Sequence, residues 1–332
     1  PWAAAMGLSA PILNAPMGGV AGGALAAAVT RSGGLGMIGI GSAGSTALLQ
    51  RELAYLSDVD SPFGIGLIGW GVRVEPALLE AALASRPALL SVSFGEDWSW
   101  VERARGSGSV TATQVADLDG ALRAVDAGVA VLVARGAEGG GHGQPLRGTL
   151  PLLRELLERV DVPVLAAGGI ASGRSFAAAL AAGASGAWIG TAFAACREST
   201  LSDAAREAMI AADGTDTVVT RAFDIALGYP WPASMPERVI GNGFTDAWHG
   251  REHELAADHG ALAHVRTAIA DGDYRLAPVN AGLGVGDVVA AQREAHRTVG
   301  PADVELEAVV AAGLGHGVVA AGVGTVGRAG IR

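Results

Sequence analysis

The sequence predicts an α/β fold, a (β/α)8 TIM barrel followed by a mainly helical C-terminal add-on, and three observations carry that expectation. Short apolar runs alternate with helix-like stretches across the first 200 residues. The runs are nearly continuous in apolar residues, as parallel strands covered on both faces require, whereas a half-solvated strand would alternate. The 50 glycines among 332 residues fall where apolar runs end, which marks tight turns after strands.

In chain order the strand candidates are PILNAPM (11–17), LGMIGIG (35–41), FGIGLIG (63–69), ALLSVSFG (88–95), SVTATQV (109–115), VAVLVARG (129–136), VPVLAAGG (162–169) and GAWIGTAF (186–193). Between them lie the helix candidates at 21–33, 46–56, 75–85, 115–128, 149–160 and 172–183. ALRAVDAG and AAALAAG both end in glycine where a left-handed helix cap is wanted, and each runs directly into the next strand. Eight strand units favour closure into a barrel, with a doubly wound open sheet as the fallback. Beyond about residue 200 the pattern changes to DAAREAMIAAD and the irregular, aromatic ALGYPWPASMPERVIGNGFTDAWHG. The expected division is a barrel over 1–200, a helical region over 201–293, and an atypical tail over 294–332 that is poor in large apolar residues.

Composition narrows the function. A net charge of −10, from 33 acidic and 23 basic residues without a basic cluster, argues against nucleic acid as a partner. Apolar stretches are broken by glycine, and none offers the roughly 20 bulky residues of a membrane span. The opening PWAAAMGLSA lacks the pattern of a signal peptide, and the single cysteine, Cys196, fits a small buried apolar residue in a cytoplasmic protein.

In a barrel, chemistry is expected where strands end and βα loops meet. APMGGVAGG (15–23) would let backbone approach a flat ligand and expose N–H groups at a helix start, though alone it equally fits a plain strand-to-helix turn. AAGGI with SGRS (166–175) and IGT (189–191) follow strands seven and eight, where barrels often hold a phosphate. Gly168, Gly169, Gly190 and Thr191 are therefore candidates for a phosphate cup. ARGAEGGGHG (134–143) leaves His142 on a flexible glycine turn at the barrel mouth, as a candidate general base. His249, His253, His259 and His264 fall in the polar add-on, where hydration or capping is the expected role, and no HExxH pattern is present to support a metal. GxSxG and GxxxxGK[ST] are absent.

Taken together, APMGGVAGG, GGLG (33–36), GGGHG (139–143), AAGGI (166–170) and IGTAF (189–193) resemble, in order and spacing, the nitronate monooxygenases. The resemblance runs over about residues 11–290. It implies bound FMN, with Met17 and Gly18 touching the flavin, Gly140, Gly169 and the segment Trp188, Ile189, Gly190 and Thr191 holding ring or phosphate, and His142 as catalytic base. It further implies oxidation of a small nitronate or nitroalkane with dioxygen to a carbonyl compound and nitrite, with self-association into a homo-oligomer left open. Two positions depart from the family. Gly66 stands where many members carry the asparagine of a GVN triplet, and Arg135 stands where they carry glutamine. Gln114, at the end of strand five, could reach the flavin or be a surface turn residue. Arg135 could face the flavin or form an exposed ion pair with Glu138. Two rival readings are an FMN-dependent NAD(P)H reductase of enoyl thioesters or quinones and a non-catalytic flavin-binding protein.

Overall fold

The computed structural model describes residues 2–288, so the expected tail at 294–332 lies outside the described residues. Its strands are β1 (Ile12–Asn14), β2 (Gly36–Gly39), β3 (Phe63–Ile68), β4 (Leu89–Ser93), β5 (Val110–Val115), β6 (Val131–Arg135), β7 (Gly141–His142), β8 (Val164–Ala167), β9 (Gly186–Ile189), β10 (Thr217–Thr220) and β11 (Glu237–Ile240). Eight of them form one parallel sheet in the order β1-β9-β8-β6-β5-β4-β3-β2. Each apolar run of the first 200 residues supplies one of these strands.

The sheet curls until its two edges meet. Between β1 and β2 the backbone pairing is thin: one parallel bridge joins Leu13 to Leu35, with the Leu35 N–H donating to Ile12 O at 2.9 Å. The fully buried Asn14 side chain completes the seam. Its Nδ2 donates to Met37 O at 2.8 Å and its Oδ1 accepts from Met37 N at 2.7 Å, so a side-chain amide substitutes for a missing peptide rung.

Alternation along each strand divides the core in two. Val131, Val133, Leu165 and Trp188 point into the barrel with Leu13, Met37 and Leu89, whereas Leu132, Ala166, Ala187 and Ile189 point outward onto the helices. The helices Gly23–Arg31, Thr46–Leu53, Pro76–Ala84, Leu118–Asp126, Thr149–Leu157 and Gly173–Ala181 form at the predicted places. Their starts are fixed locally. Ser45 and Asp117 accept from backbone N–H groups of the first turn, and Ser172 and Ser175 make a reciprocal capping box. Helix Ser99–Gly106, between β4 and β5, has a weaker signal. Only Trp100, Val101 and Ala104 bury an apolar surface, and Glu102, Arg103 and Arg105 interrupt the pattern.

The add-on contains helices, among them Asp203–Ala211, Ala222–Leu227 and His259–Asp271, but also a small antiparallel sheet in the order β10-β11-β7. Phe223, Ala226, Val239, Phe244, Leu255 and Val265 make a third apolar cluster within it. Helix Ala222–Leu227 ends at Gly228 in the left-handed region, φ 71°, which turns the chain back over the barrel mouth. Among the described residues no helix is long and apolar enough to cross a membrane.

Candidate active site

The C-terminal ends of the barrel strands surround a cavity of about 440 Å³, roofed by the add-on. Met17, Gly18, Gln114, Gly140, His142, Gly168, Gly169, Trp188, Gly190 and Thr191 all line it. Ile189 does not. Strand alternation sends its side chain outward into the helix-facing core, where it is 1% exposed, while neighbouring Trp188 faces the barrel interior.

His142 is not on a flexible turn. Gly141 and His142 pair in antiparallel register with Arg238 and Glu237, which makes the catalytic candidate part of a β-ladder contributed by the add-on. The His142 Nε2 lies 2.9 and 3.0 Å from the two carboxylate oxygens of Asp224, itself 4% exposed. The imidazole stacks on the indole of Trp231 with centroids 3.8 Å apart and planes 8° from parallel. A carboxylate beside Nε2 takes that N–H, which leaves the lone pair on Nδ1 available, and Nδ1 has no hydrogen-bond partner among the described residues.

Glu237 faces the same cavity and is 4% exposed. Burial, reinforced by the neighbouring Asp224 charge and opposed by Asn280, pushes its carboxyl up to about 8. At neutral pH this group therefore holds a proton. Donor atoms of His142, Asp224 and Glu237 lie within 4.8 Å of one another, but both Asp224 oxygens already sit at hydrogen-bond distance from Nε2.

Arg135 forms no exposed ion pair with Glu138. It is 7% exposed, and its guanidinium donates to the carbonyls of Gly139, Gly140 and Gly141 at 3.0, 3.1 and 3.0 Å. One cation thus gathers three glycine carbonyls and sets the turn that presents His142. Burial pushes Arg135 down to about 10, so it remains charged at neutral pH. Glu138 instead accepts from Thr149 N and Thr149 Oγ1, which joins the turn to helix Thr149–Leu157.

The glycine turns suit a flat, phosphate-bearing ligand. Among the described residues the amides of Gly168, Gly169, Gly190 and Thr191 donate to no turn or loop carbonyl, and all four residues line the cavity. Gly168 and Gly169 hold φ of 106° and 70°, open to glycine at little cost. At Gly140 an added Cβ would come within 2.6 Å of Ala281, and at Gly18 within 2.2 Å of Gly41, so any side chain there would push apart the cavity walls. The Thr191 hydroxyl accepts from Gly282 N at 3.0 Å and ties the cup to the 277–284 segment. The first glycine motif behaves differently from expectation. The Gly23 N–H at its helix start is taken by the buried Glu52 carboxylate at 2.9 Å, so a carboxylate of the chain itself already sits at that terminus. At Gly66 a Cβ would lie 2.2 Å from Pro16 Cγ, which explains why an asparagine has no room there.

Sequence reasoning missed Asp224, Trp231 and Glu237. Each leaves a trace: a lone acid in the apolar AFDIAL, a tryptophan between two prolines, and an acid opening the run ERVI. None of these says which strand end the residue will face.

An eight-stranded barrel whose strand ends enclose one cavity, lined by glycine turns and a carboxylate-held imidazole, has the architecture of a barrel enzyme. A sequence model described as nitronate monooxygenase matches residues 70–289. A nitronate monooxygenase of Paraburkholderia phytofirmans is 32% identical, covering 72% of this chain and 76% of that protein. A (3aS,4S,5R,7aS)-5-hydroxy-7a-methyl-1-oxo-octahydro-1H-indene-4-carboxyl-CoA dehydrogenase of Rhodococcus jostii is 31% identical, covering 75% of this chain and 66% of that protein. Among solved structures, nitroalkane oxidase from Streptomyces ansochromogenes aligns with a TM-score of 0.72 at 29% identity, covering 89% of this chain and 99% of that one. FabK from Thermotoga maritima aligns with a TM-score of 0.72 at 28% identity, covering 88% and 96%. The chain belongs to the nitronate monooxygenase family, flavin-dependent oxidoreductases acting on small nitro compounds with oxygen.

Proposed function

We propose that the chain binds FMN and oxidises alkyl nitronates, and nitroalkanes after deprotonation, with dioxygen, giving a carbonyl compound and nitrite. The observation that carries this reading is a single cavity lined both by a carboxylate-held imidazole and by the glycine turns after β8 and β9. Gly168, Gly169, Gly190 and Thr191 would hold the phosphate, and Met17, Gly18, Gln114, Gly140 and Trp188 would border the ring. FMN supplies the redox chemistry when bound.

The chain's own task is the proton. A neutral nitroalkane gives up its α-proton slowly in water, whereas its nitronate anion is electron-rich and easily oxidised. In this reading Nδ1 of His142 takes the α-proton, and the Asp224 carboxylate on Nε2 stabilises the imidazolium that results. The backbone ladder between β7 and β11 fixes the direction in which the His142 side chain leaves the main chain. The roof of add-on residues excludes water, which strengthens the attraction between imidazolium and nitronate.

Reduction of an enoyl thioester or a quinone by NAD(P)H is a second reading, favoured by the structural similarity to FabK. The visible spectrum of the purified chain, followed by anaerobic mixing with each reductant, decides between them. The proposal expects oxidised-flavin absorbance, bleaching by ethyl nitronate, and multiple-turnover oxygen uptake. Rapid bleaching by NADPH with none by ethyl nitronate would replace it with the reductase, and a chain that takes up no FMN would end both.

A further inference from the structure

We propose that Trp231 is a positioning residue for His142, a strut from the add-on that fixes the plane of the imidazole and so aims its free nitrogen at the substrate; this rests on the proton-abstracting role given to His142 above.

Four contacts converge on the indole. Its face lies parallel to the imidazole with centroids 3.8 Å apart. Its Nε1–H donates to Ser42 Oγ, on the loop after β2, at 3.0 Å. Trp70 and Phe94 meet it edge-on, with centroids 5.8 and 5.0 Å away and interplanar angles of 89° and 77°. Trp231 is 7% exposed, so it is packed in place and has no freedom to swing away.

The need for such a strut follows from what Asp224 leaves undetermined. Hydrogen bonds at Nε2 fix one in-plane point of the imidazole but still allow the ring to rotate about the Nε2–Asp224 direction. A rigid aromatic plane against the ring face removes that rotation. Both restraints come from the add-on, one on each side of the left-handed cap at Gly228, whereas the Ser42 anchor belongs to the barrel. Trp231 therefore sets the distance between the imidazole and the barrel rim as well as its tilt. Phe94 adds a second sign of function. Its backbone holds φ of 64°, a conformation that costs a non-glycine residue on the order of 1 kcal/mol or more, while its ring packs against the indole edge.

The test compares Trp231→Leu with Trp231→Phe, using nitroethane, which requires proton abstraction, and preformed ethyl nitronate, which does not. Loss of the stacking plane predicts a fall in kcat for nitroethane of roughly 10- to 100-fold in Trp231→Leu, the scale of a misplacement near 1 Å, with nitronate turnover and bound flavin little changed. Trp231→Phe keeps a flat ring and restores much of the nitroethane rate. Equal loss on both substrates, or an unchanged nitroethane rate, would overturn the proposal. A second readout needs no turnover: the ring-proton resonances of His142, identified by their disappearance in His142→Asn, should lie upfield in the wild-type chain and move downfield in Trp231→Leu. Unmoved resonances would overturn the positioning role. If the wild-type chain oxidises neither substrate, the nitronate reading fails by itself, and the resonance shift alone decides whether Trp231 orients the imidazole.

Discussion

At the scale of single residues, the site is governed by groups that burial has altered or locked. Glu237 is the clearest case, because its carboxyl is held near 8 by burial and by the Asp224 charge. In the unfolded chain the same group ionises near its ordinary value of 4.5. The folded chain therefore binds the proton more tightly. Its stabilising contribution is complete below about pH 4.5 and is lost as pH rises through about 8. Glu237→Gln cannot ionise, so its melting temperature relative to the wild-type chain should rise progressively from about pH 5 to pH 8. Parallel melting curves for the two chains over that range would show that Glu237 is not the buried acid described. Arg135 illustrates the complementary case of a buried cation kept charged by three carbonyls. Its position was legible as a departure from the family, but its role was not, since a sequence cannot show that the carbonyls of its own following turn fold back onto it.

At the scale of elements, the strands and the glycine turns were legible because both are local. A continuous apolar run of four to eight residues bounded by glycine has few alternatives in an alternating chain, and the left-handed turns at Gly168 and Gly169 follow from the residue type. What stayed hidden is pairing at a distance. β7 is two residues long and has no pattern of its own; it exists because β11, nearly 100 residues further on, supplies its partner. The same holds for the seam of the barrel, where Asn14 replaces a backbone rung between β1 and β2. Asn14→Ala would leave the N–H and carbonyl of Met37 buried without partners, at a cost of about 2 to 4 kcal/mol. Urea titration should show that loss as a lower midpoint with an unchanged slope. A midpoint equal to that of the wild-type chain would mean that the seam closes without the amide.

At the scale of the whole molecule, the barrel and the add-on divide the work. The barrel brings the glycine turns at Gly168, Gly169, Gly190 and Thr191 to the cavity, and the add-on holds the imidazole through Asp224, Trp231 and β11. Neither part lines the cavity alone, which is why the sequence pointed to His142 and the glycine turns as candidates but not to the residues that pack against the imidazole. The account stands on the claim that His142 handles the substrate's proton while the cofactor is held elsewhere. His142→Asn separates the two directly: the variant should remain yellow with bound FMN and lose oxygen uptake with nitroethane by at least about 100-fold, the scale of a lost general base. Unchanged nitroethane turnover in a flavin-loaded His142→Asn chain would contradict it.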